Sequence, residues 1–302
     1  MSKKVPRGLG FGAAPLGNAQ PAISQKDALA ALESAHANGI RYFDTAPLYG
    51  RGRSESFIGE FLASESRNDL VLSTKAGRLL RGGGFIYDYS FDGVMRSIDE
   101  SLERLRVEYL DLVYMHDIGE QTHGNDHRRV MTEAIDGGFK ALARLKDEGV
   151  IGALGIGVNE TAVCMEALAA VDLDYVMLAG RYTLLDRSAE QDVLPALKRH
   201  GAKLVSAAPF NSGILVKGAV PGARFDYQVA SSETMRRVRD IEHVCDEFGV
   251  PLAAAALQFP LRHADVDCVV TGMRTVSQVE ASSDWLRTPI PEAFWVALDS
   301  AR

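Results

Sequence analysis

The chain has 302 residues, of which 46% are hydrophobic and 24% are charged, a composition typical of a folded protein with a large core. Its formal net charge of −7 argues against nucleic acid as the main partner. The three cysteines lie far apart, and no run is long and apolar enough for a signal peptide or a membrane span. We therefore expect a reduced, cytoplasmic protein with no membrane partner.

Short apolar runs rich in Val, Ile, Leu and Tyr predict eight strands along the chain. Several of them are apolar on both faces, which is typical of parallel strands that are covered on each side. The predicted strands are Leu9–Ala13, Arg41–Asp44, Leu70–Thr74, Leu110–Met115, Ala153–Gly157, Asp174–Leu178, Lys203–Ala208 and Asp267–Thr271.

Helical patterns separate most of these strands. The first follows Ser24, a predicted N-cap, and ends at Gly39. The predicted helices are Lys26–Asn38, Asp92–Arg104, Ala134–Glu148, Glu160–Ala169, Ala189–Arg199, Ser232–Phe248 and Val276–Leu286. The glycine-rich run RGGGF at 81–85 and the segment QTHGNDHRR at 121–129 are instead predicted to be loops.

The alternation of strands and helices predicts an α/β protein with a single (β/α)₈ TIM barrel. No Pro/Ser-rich linker or charge run divides the chain, so residues 1–302 are expected to form one domain. A doubly wound Rossmann fold is the alternative, but GLGFG at 8–12 and GALGIG at 152–157 lack the G-x-G-x-x-G spacing of its fingerprint.

Four reactive side chains follow three of the predicted strands. Asp44 and Tyr49 follow the second strand, Lys75 ends the third, and His116 ends the fourth. Each alone has an ordinary structural interpretation as a turn cap, a loop residue or a satisfied core histidine. Because the active sites of such barrels lie at the carboxyl ends of the strands, the four together predict a catalytic site.

The segments FDTAPLYGRGRSE, STKAG and VYMHD resemble the signature segments of the aldo-keto reductase family, and the likeness extends from Leu9 to about Ser282. The resemblance implies that Tyr49 is the general acid/base, Lys75 lowers its pKa, Asp44 pairs with Lys75, and His116 orients the reacting oxygen. These roles agree with the chemistry, because a phenol is a poor base at neutral pH unless a nearby ammonium favours its phenolate.

The resemblance also implies a nicotinamide dinucleotide, whose phosphates would lie on the loop after the seventh strand and whose adenosine would lie further along the chain. The implied residues are Pro209, Phe210, Asn211, Ser212, Gly213 and Leu215 for the phosphates, and Gly272, Arg274, Gln278 and Ser282 for the adenosine end. Backbone N–H groups and a helix start suit phosphate oxygens.

Some positions depart from the pattern of the family. Ala179 and Ala207 stand where relatives often carry side chains that hold the nicotinamide, and Asn159 is the predicted amide partner that remains. Gln278 and Ser282 replace Arg and Asn of many phosphate-binding relatives, which leaves Arg274 as the basic residue of this segment. We therefore expect NAD to be preferred, with NADP possible.

A metal site is not predicted. His116, His123 and His127 fall close together in the sequence, and His123 and His127 have the spacing of helical zinc ligands. However, Gly124 and Asn125 favour a loop between them, and no third ligand follows at a fixed spacing.

Within the family, AGRYTLLDR, AAPFNSGIL and PGARFDY look most like the branch that oxidises aldoses such as L-fucose or D-arabinose at C1, with a sister branch of pyridoxal 4-dehydrogenases. Both branches convert a cyclic hemiacetal to a lactone, in the second case 4-pyridoxolactone. The alternatives are a general NADPH-dependent aldehyde reductase and a coenzyme-sensing subunit that regulates a partner. A small-molecule substrate and a monomer or homodimer are expected.

Overall fold

The computed structural model of the chain describes residues 4–18, 20–64 and 67–300. The strands of the described residues, numbered along the chain, are β1 (Gly8–Gly12), β2 (Tyr42–Asp44), β3 (Val71–Ala76), β4 (Arg78–Arg81), β5 (Gly84–Tyr87), β6 (Leu112–His116), β7 (Leu154–Val158), β8 (Tyr175–Ala179), β9 (Lys203–Ala207), β10 (Arg224–Phe225), β11 (Gln228–Val229) and β12 (Val266–Gly272). Eight of them are parallel and close into a barrel in the order β1, β12, β9, β8, β7, β6, β3, β2.

Helices cover the outside of the barrel. They are α1 (Ala14–Asn18), α2 (Gln25–Ala37), α3 (Arg53–Ser64), α4 (Phe91–Leu105), α5 (Glu120–His123), α6 (His127–Glu133), α7 (Phe139–Asp147), α8 (Thr161–Ala170), α9 (Val193–His200), α10 (Ile214–Lys217), α11 (Ser232–Phe248), α12 (Leu252–Gln258), α13 (Val276–Arg287) and α14 (Glu292–Ser300). In the part of the chain that is described, none of these helices has the length and apolar character needed to cross a bilayer.

The predicted barrel is confirmed. Each of the eight predicted strands overlaps one barrel strand, and the helix predicted at Ser232–Phe248 has the predicted bounds. Ser24 caps α2 as expected, since its hydroxyl accepts a hydrogen bond from the backbone N–H of Asp27. These elements were predictable because their apolar periodicity and their caps lie within one short segment of sequence.

Two local predictions were wrong, and a third placed the start of a helix too late. The run RGGGF forms the turn of a hairpin between β4 and β5, because Gly82 and Gly83 both adopt the positive φ that a two-residue turn requires. The segment QTHGNDHRR is mostly helical, in α5, a short 3₁₀ turn and the start of α6. The helix predicted at Ala134–Glu148 is the last part of a longer helical segment that begins at His127 and passes through a π-helical turn.

The prediction also missed several helices, of which α3 bears most directly on the site. This helix begins immediately after the Tyr49 loop and buries Phe57, Ile58 and Phe61 against the barrel. It therefore fixes the far end of the loop that carries Tyr49.

The lower part of the barrel interior combines apolar packing with a chain of hydroxyl groups. The Tyr42 hydroxyl lies 3.0 Å from that of Tyr114 and 2.8 Å from Ser73 Oγ. The Ser73 hydroxyl in turn donates to Asp44 Oδ1 at 2.8 Å. This chain links the packed interior to the carboxyl ends of the strands and holds the Asp44 carboxylate in one orientation.

Candidate active site

Asp44 and Lys75 form a buried ion pair at the carboxyl ends of β2 and β3. Lys75 Nζ lies 2.6 Å from Asp44 Oδ2 and also donates to the carbonyl oxygen of Thr45 at 2.9 Å. Burial is the largest single influence and lowers the pKa of Lys75, but the Asp44 carboxylate and the Tyr49 phenol together raise it by more, so the net shift is upward. Lys75 is therefore a permanent cation at neutral pH.

Tyr49 lies on the turn that follows β2, and its backbone is fixed by a close contact with α1. A Cβ atom on Gly17 would lie 2.3 Å from the carbonyl carbon of Tyr49, and one on Gly50 would lie 2.4 Å from the Cα of Gly17. Only glycine at both positions allows the two backbones to approach this closely. The contact positions Tyr49 over the ion pair.

The Tyr49 ring faces both Lys75 and His116. Lys75 Nζ lies 4.9 Å from the ring centroid, and the Tyr49 and His116 rings are 6.2 Å apart at 89°. Burial raises the pKa of the Tyr49 phenol above its usual value of 10.0, and the charge of Lys75 opposes that rise. Lys75 thus has the predicted direction of effect, although the net pKa of Tyr49 in the protein alone is raised.

His116 ends β6 and is held as a neutral imidazole. Burial and the positive charges of Lys75 and Arg78 place its pKa well below its usual value. Its Nδ1 atom is buried and has no hydrogen-bond partner among the described residues, whereas Nε2 lies 3.3 Å from Asp117 Oδ2. The neighbouring carboxylate favours the tautomer with the proton on Nε2, so His116 can donate a hydrogen bond.

These four side chains share one cavity of about 420 Å³ at the carboxyl ends of the barrel strands. Asn159 and Gly272, both predicted to bind the coenzyme, also line it, together with the small side chains of Ala179 and Ala207. A separate cavity of about 480 Å³ lies between the segment before α9 and helices α11 and α14, and none of the predicted site residues lines it.

The loop after β9 has an unusual backbone, and its polar side chains bind other parts of the protein. Its residues Ala208, Asn211, Ser212 and Gly213 all adopt positive φ, which is costly for Ala208 and Ser212. Asn211 accepts a hydrogen bond from the Thr183 hydroxyl at 2.6 Å and donates to the Gly180 carbonyl oxygen at 3.1 Å.

The remaining predicted residues of this loop also have internal contacts or lie apart from the cavity. Ser212 Oγ accepts from the backbone N–H of Tyr227 at 3.0 Å, and Phe210 packs edge-on against Trp285. Leu215 and Pro209 are buried. Most side chains of this loop therefore contact the protein itself, which leaves the backbone as the part that can bind a ligand.

The segment at the start of α13 carries Arg274, whose guanidinium group is available to a ligand. Among the described residues, no acceptor lies within hydrogen-bond distance of the Arg274 guanidinium, whereas its backbone N–H donates to Gln278 Oε1 at 2.9 Å. Thr275 caps the helix by accepting from the Gln278 backbone N–H. Ser282 lies further along α13 and is buried.

The histidines near α5 serve the protein's own loops. His123 Nε2 lies 2.9 Å from the Asp117 carbonyl oxygen and 3.2 Å from the Tyr89 hydroxyl, and His127 Nδ1 lies 2.8 Å from the Gly124 carbonyl oxygen. Within the described ranges, no three His, Cys, Asp or Glu side chains are placed to hold a metal ion.

Sequence reasoning missed several residues in or next to the cavity, three of which carry a charged group or a phenol. Asp117 and Tyr227 line it, and Arg78 binds Asp117 from the hairpin that β4 forms with β5. Asp117 directly follows His116, which was a usable signal. Arg78 and Tyr227 lie on hairpins in segments for which no strand or helix was predicted, so no periodicity pointed to them.

A barrel with a buried Lys–Asp pair, an adjacent phenol and a neutral imidazole in one cavity defines a site for moving a proton to or from an oxygen. The chain matches the aldo/keto reductase family over residues 8–302, and it belongs to that family. It is therefore an NAD(P)-dependent oxidoreductase, and the resemblance found in its sequence is confirmed.

Individual relatives agree with this assignment. The chain is 42% identical to pyridoxal 4-dehydrogenase of Microbacterium luteolum and 38% identical to D-threo-aldose 1-dehydrogenase of a Pseudomonas species, in each case over 97% of this chain and 93% of the relative. Its structure is similar to that of an aldo-keto reductase from Bacillus halodurans in its holo form, with a TM-score of 0.79 and 28% identity over 97% of this chain and 91% of that one.

Proposed function

We propose that this protein is a dehydrogenase that oxidises C1 of a cyclic hemiacetal, an aldose such as L-fucose or D-arabinose, and releases a lactone. The observation that carries the proposal is the position of Tyr49 above the buried Lys75–Asp44 pair, with His116 across the same cavity. The similarity to D-threo-aldose 1-dehydrogenase supports this substrate class.

In the proposed reaction, the Tyr49 phenolate removes the proton of the C1 hydroxyl group. Lys75 favours the phenolate, Asp44 keeps Lys75 charged, and the N–H of His116 holds the reacting oxygen. The C1–H bond breaks with its electron pair, for which a bound nicotinamide is the acceptor, and the C1–O bond becomes the carbonyl of the lactone. One proton and one hydride leave the same C–OH unit, so the step is balanced.

The cysteines support a lactone rather than an acid as the first product. Direct oxidation of an aldehyde to an acid usually requires a thiol that first forms a thiohemiacetal. Cys164, Cys245 and Cys268 are all buried, and none of them lines the cavity. Burial also raises the pKa of each thiol. The substrate carbon must therefore already carry a hydroxyl group, as the anomeric carbon of a ring-closed sugar does.

The residues around the cavity suit a dinucleotide. We assign Asn159 to the nicotinamide amide, the backbone of Pro209–Gly213 with Leu215 to the phosphates, and Gly272, Arg274, Gln278 and Ser282 to the adenosine end. Two features support this assignment: the Arg274 guanidinium has no acceptor among the residues that the structure describes, and the loop after β9 has a run of positive φ angles. With one cation at the adenosine end, NAD is the expected coenzyme.

The order of product formation tests the proposal. Purified protein is mixed with NAD or NADP and a panel of aldoses, the reaction is quenched rapidly, and the products are identified by mass spectrometry. We expect the lactone to precede the free acid, which then forms by hydrolysis. If sugars locked in the open form react while ring-closed sugars do not, the hemiacetal proposal is wrong and a general aldehyde reductase takes its place.

Pyridoxal is the second candidate substrate, because the 42% identity to pyridoxal 4-dehydrogenase exceeds that to the aldose enzyme. Pyridoxal also closes to a hemiacetal, so the same side chains would yield 4-pyridoxolactone. Including pyridoxal in the panel and comparing kcat/KM values decides between the two substrates.

A further inference from the structure

Asp117 lies beside the reacting groups in a left-handed backbone conformation. It follows β6 directly and adopts a φ of 49°, in a region that glycine, asparagine and aspartate occupy more often than other residues. Its carboxylate lines the cavity with 23% of the side chain exposed. The conformation directs the carboxylate at the end of β6 into the cavity, and the surrounding structure holds it there.

Three groups hold Asp117 in place. The Arg78 guanidinium binds Oδ2 of the carboxylate, while His123 and the Tyr89 hydroxyl bind the backbone carbonyl oxygen. Their positions on β4, on the segment before α4 and on α5 anchor the residue from three different elements. The carboxylate is therefore fixed independently of any ligand.

Arg78 is itself fixed by the hairpin of β4 and β5. Its guanidinium carbon lies 5.4 Å from the Phe85 ring centroid and 5.2 Å from that of Tyr87, and its side chain is only 7% exposed. Two aromatic faces and one carboxylate thus surround a cation that is largely removed from water. The hairpin that replaces the predicted flexible loop serves to place this cation.

The two side chains at the end of β6 present a donor and an acceptor next to each other. His116 Nε2 lies 3.3 Å from Asp117 Oδ2. Arg78 binds that same oxygen, and no described residue donates to Oδ1. A hydrogen-bond donor, the imidazole N–H of His116, and an acceptor, Oδ1 of Asp117, therefore lie next to each other at the cavity.

We propose that Asp117, positioned by Arg78, recognises a hydroxyl group on the carbon next to the reacting carbon. This inference rests on the proposed role of His116 at the reacting oxygen. In an α-hydroxy aldehyde or an aldose, one oxygen accepts at the reacting carbon and a neighbouring hydroxyl donates, which matches the adjacent N–H and carboxylate of the protein. A carboxylate accepts but does not donate, so it selects a hydroxyl over a hydrogen atom or an ether at that carbon.

The test uses two aldehydes that differ by one hydroxyl group, 2-hydroxypropanal and propanal, in the reductive direction with NADH or NADPH. The ratio of their kcat/KM values is measured for the wild-type protein, Asp117→Asn and the control Asp284→Asn, which changes an exposed carboxylate on α13. Asparagine tolerates the left-handed conformation, so the backbone is preserved. We expect the ratio to fall roughly 10- to 100-fold in Asp117→Asn, the range for a hydrogen bond to a charged group, and to remain unchanged in the control.

Arg78→Met gives a second measurement, because it leaves Asp117 in the chain but removes the group that fixes it. We expect the ratio to fall in this variant too, with the loss appearing mainly in KM for 2-hydroxypropanal. Because the assay uses aldehyde reduction, it does not depend on lactone formation: if no hemiacetal is oxidised, the proposed function fails while this test still decides the role of Asp117. Equal losses for both aldehydes in Asp117→Asn, or a wild-type protein that uses neither aldehyde or both equally, would overturn the inference.

Discussion

The catalytic end of the cavity and the segments assigned to the coenzyme are built in different ways. At the catalytic end, Asp44, Lys75 and His116 come from the ends of neighbouring strands, and their charged or polar atoms point to one another or to the cavity. In the loop after β9, the amide of Asn211 is already bound to Thr183 and Gly180. Side chains therefore supply the chemistry, whereas backbone geometry dominates where the coenzyme is expected.

Replacing Tyr49 tests the catalytic side of this comparison with the largest expected effect. In Tyr49→Phe the ring remains but no proton can be exchanged, so we expect turnover to fall by roughly 10²–10⁴-fold. Dinucleotide affinity, measured by titration of intrinsic fluorescence, should stay near that of the wild type. Turnover close to the wild-type rate would remove Tyr49 from the mechanism.

Replacing Lys75 should damage both turnover and stability. Lys75→Met leaves the buried Asp44 carboxylate without its partner, and breaking a buried pair in this way costs about 3–5 kcal/mol of the free energy of unfolding. Turnover should fall nearly as far as in Tyr49→Phe, because the phenol loses the adjacent cation.

The double variant Asp44→Asn with Lys75→Met serves as the control for stability. The double variant has no unpaired buried charge, so urea unfolding should show that it recovers much of the free energy of unfolding lost in Lys75→Met. Its turnover should stay as low as in Lys75→Met. A double variant as unstable as Lys75→Met would mean that packing, and not the charge, causes the loss.

Residues at the ends of strands were predicted from the sequence, whereas contacts between distant loops were not. Asp44, Lys75 and His116 were predictable because each closes an apolar strand, and strand ends meet at one face of a barrel. The link between Arg78 and Asp117 was not, because it joins a hairpin to a strand end 39 positions away and depends on Gly82 and Gly83 closing that hairpin. Likewise, no local pattern shows that Asn211 binds Thr183 across two loops.

Replacing Asn211 tests the other side of the comparison with a smaller effect. Asn211→Ala removes the nearer acceptor of the buried Thr183 hydroxyl, leaving the Asp186 carbonyl oxygen at 3.4 Å, and places alanine at a φ of 43°. We expect the free energy of unfolding in urea to fall by about 1–3 kcal/mol. Asn211→Asp keeps the acceptor and tolerates this φ, so its loss should be smaller. If stability is unchanged and only dinucleotide affinity falls, the amide binds the coenzyme instead.

The stability of the catalytic end should depend on pH through His116. Its pKa in the folded protein lies well below the ordinary value of 6.5, so the unfolded chain binds a proton first as the pH falls. The contribution of neutral His116 to the free energy of unfolding is therefore fully present above pH 6.5. It is lost as the pH falls towards the folded-state pKa. Between pH 7.5 and pH 5.5, the wild-type protein should lose about 1.4 kcal/mol more than His116→Gln in urea unfolding. Parallel curves for the two proteins would show that His116 is protonated in the folded state as well.

The choice of coenzyme tests whether the adenosine segment adds any side-chain specificity to its backbone contacts. A 2′-phosphate is usually held by more than one cation, and here Arg274 is the cation at the start of α13, while the side-chain oxygen of Gln278 is bound to a backbone N–H. We therefore expect a higher kcat/KM with NAD than with NADP. Gln278→Arg should improve kcat/KM for NADP by roughly 10-fold, the lower range for one charge-assisted hydrogen bond, and should change the value for NAD far less. Gln278→Lys is the matched control, because it adds the charge without the planar fork. A wild-type protein that strongly prefers NADP would show that a basic residue outside this segment reaches the phosphate.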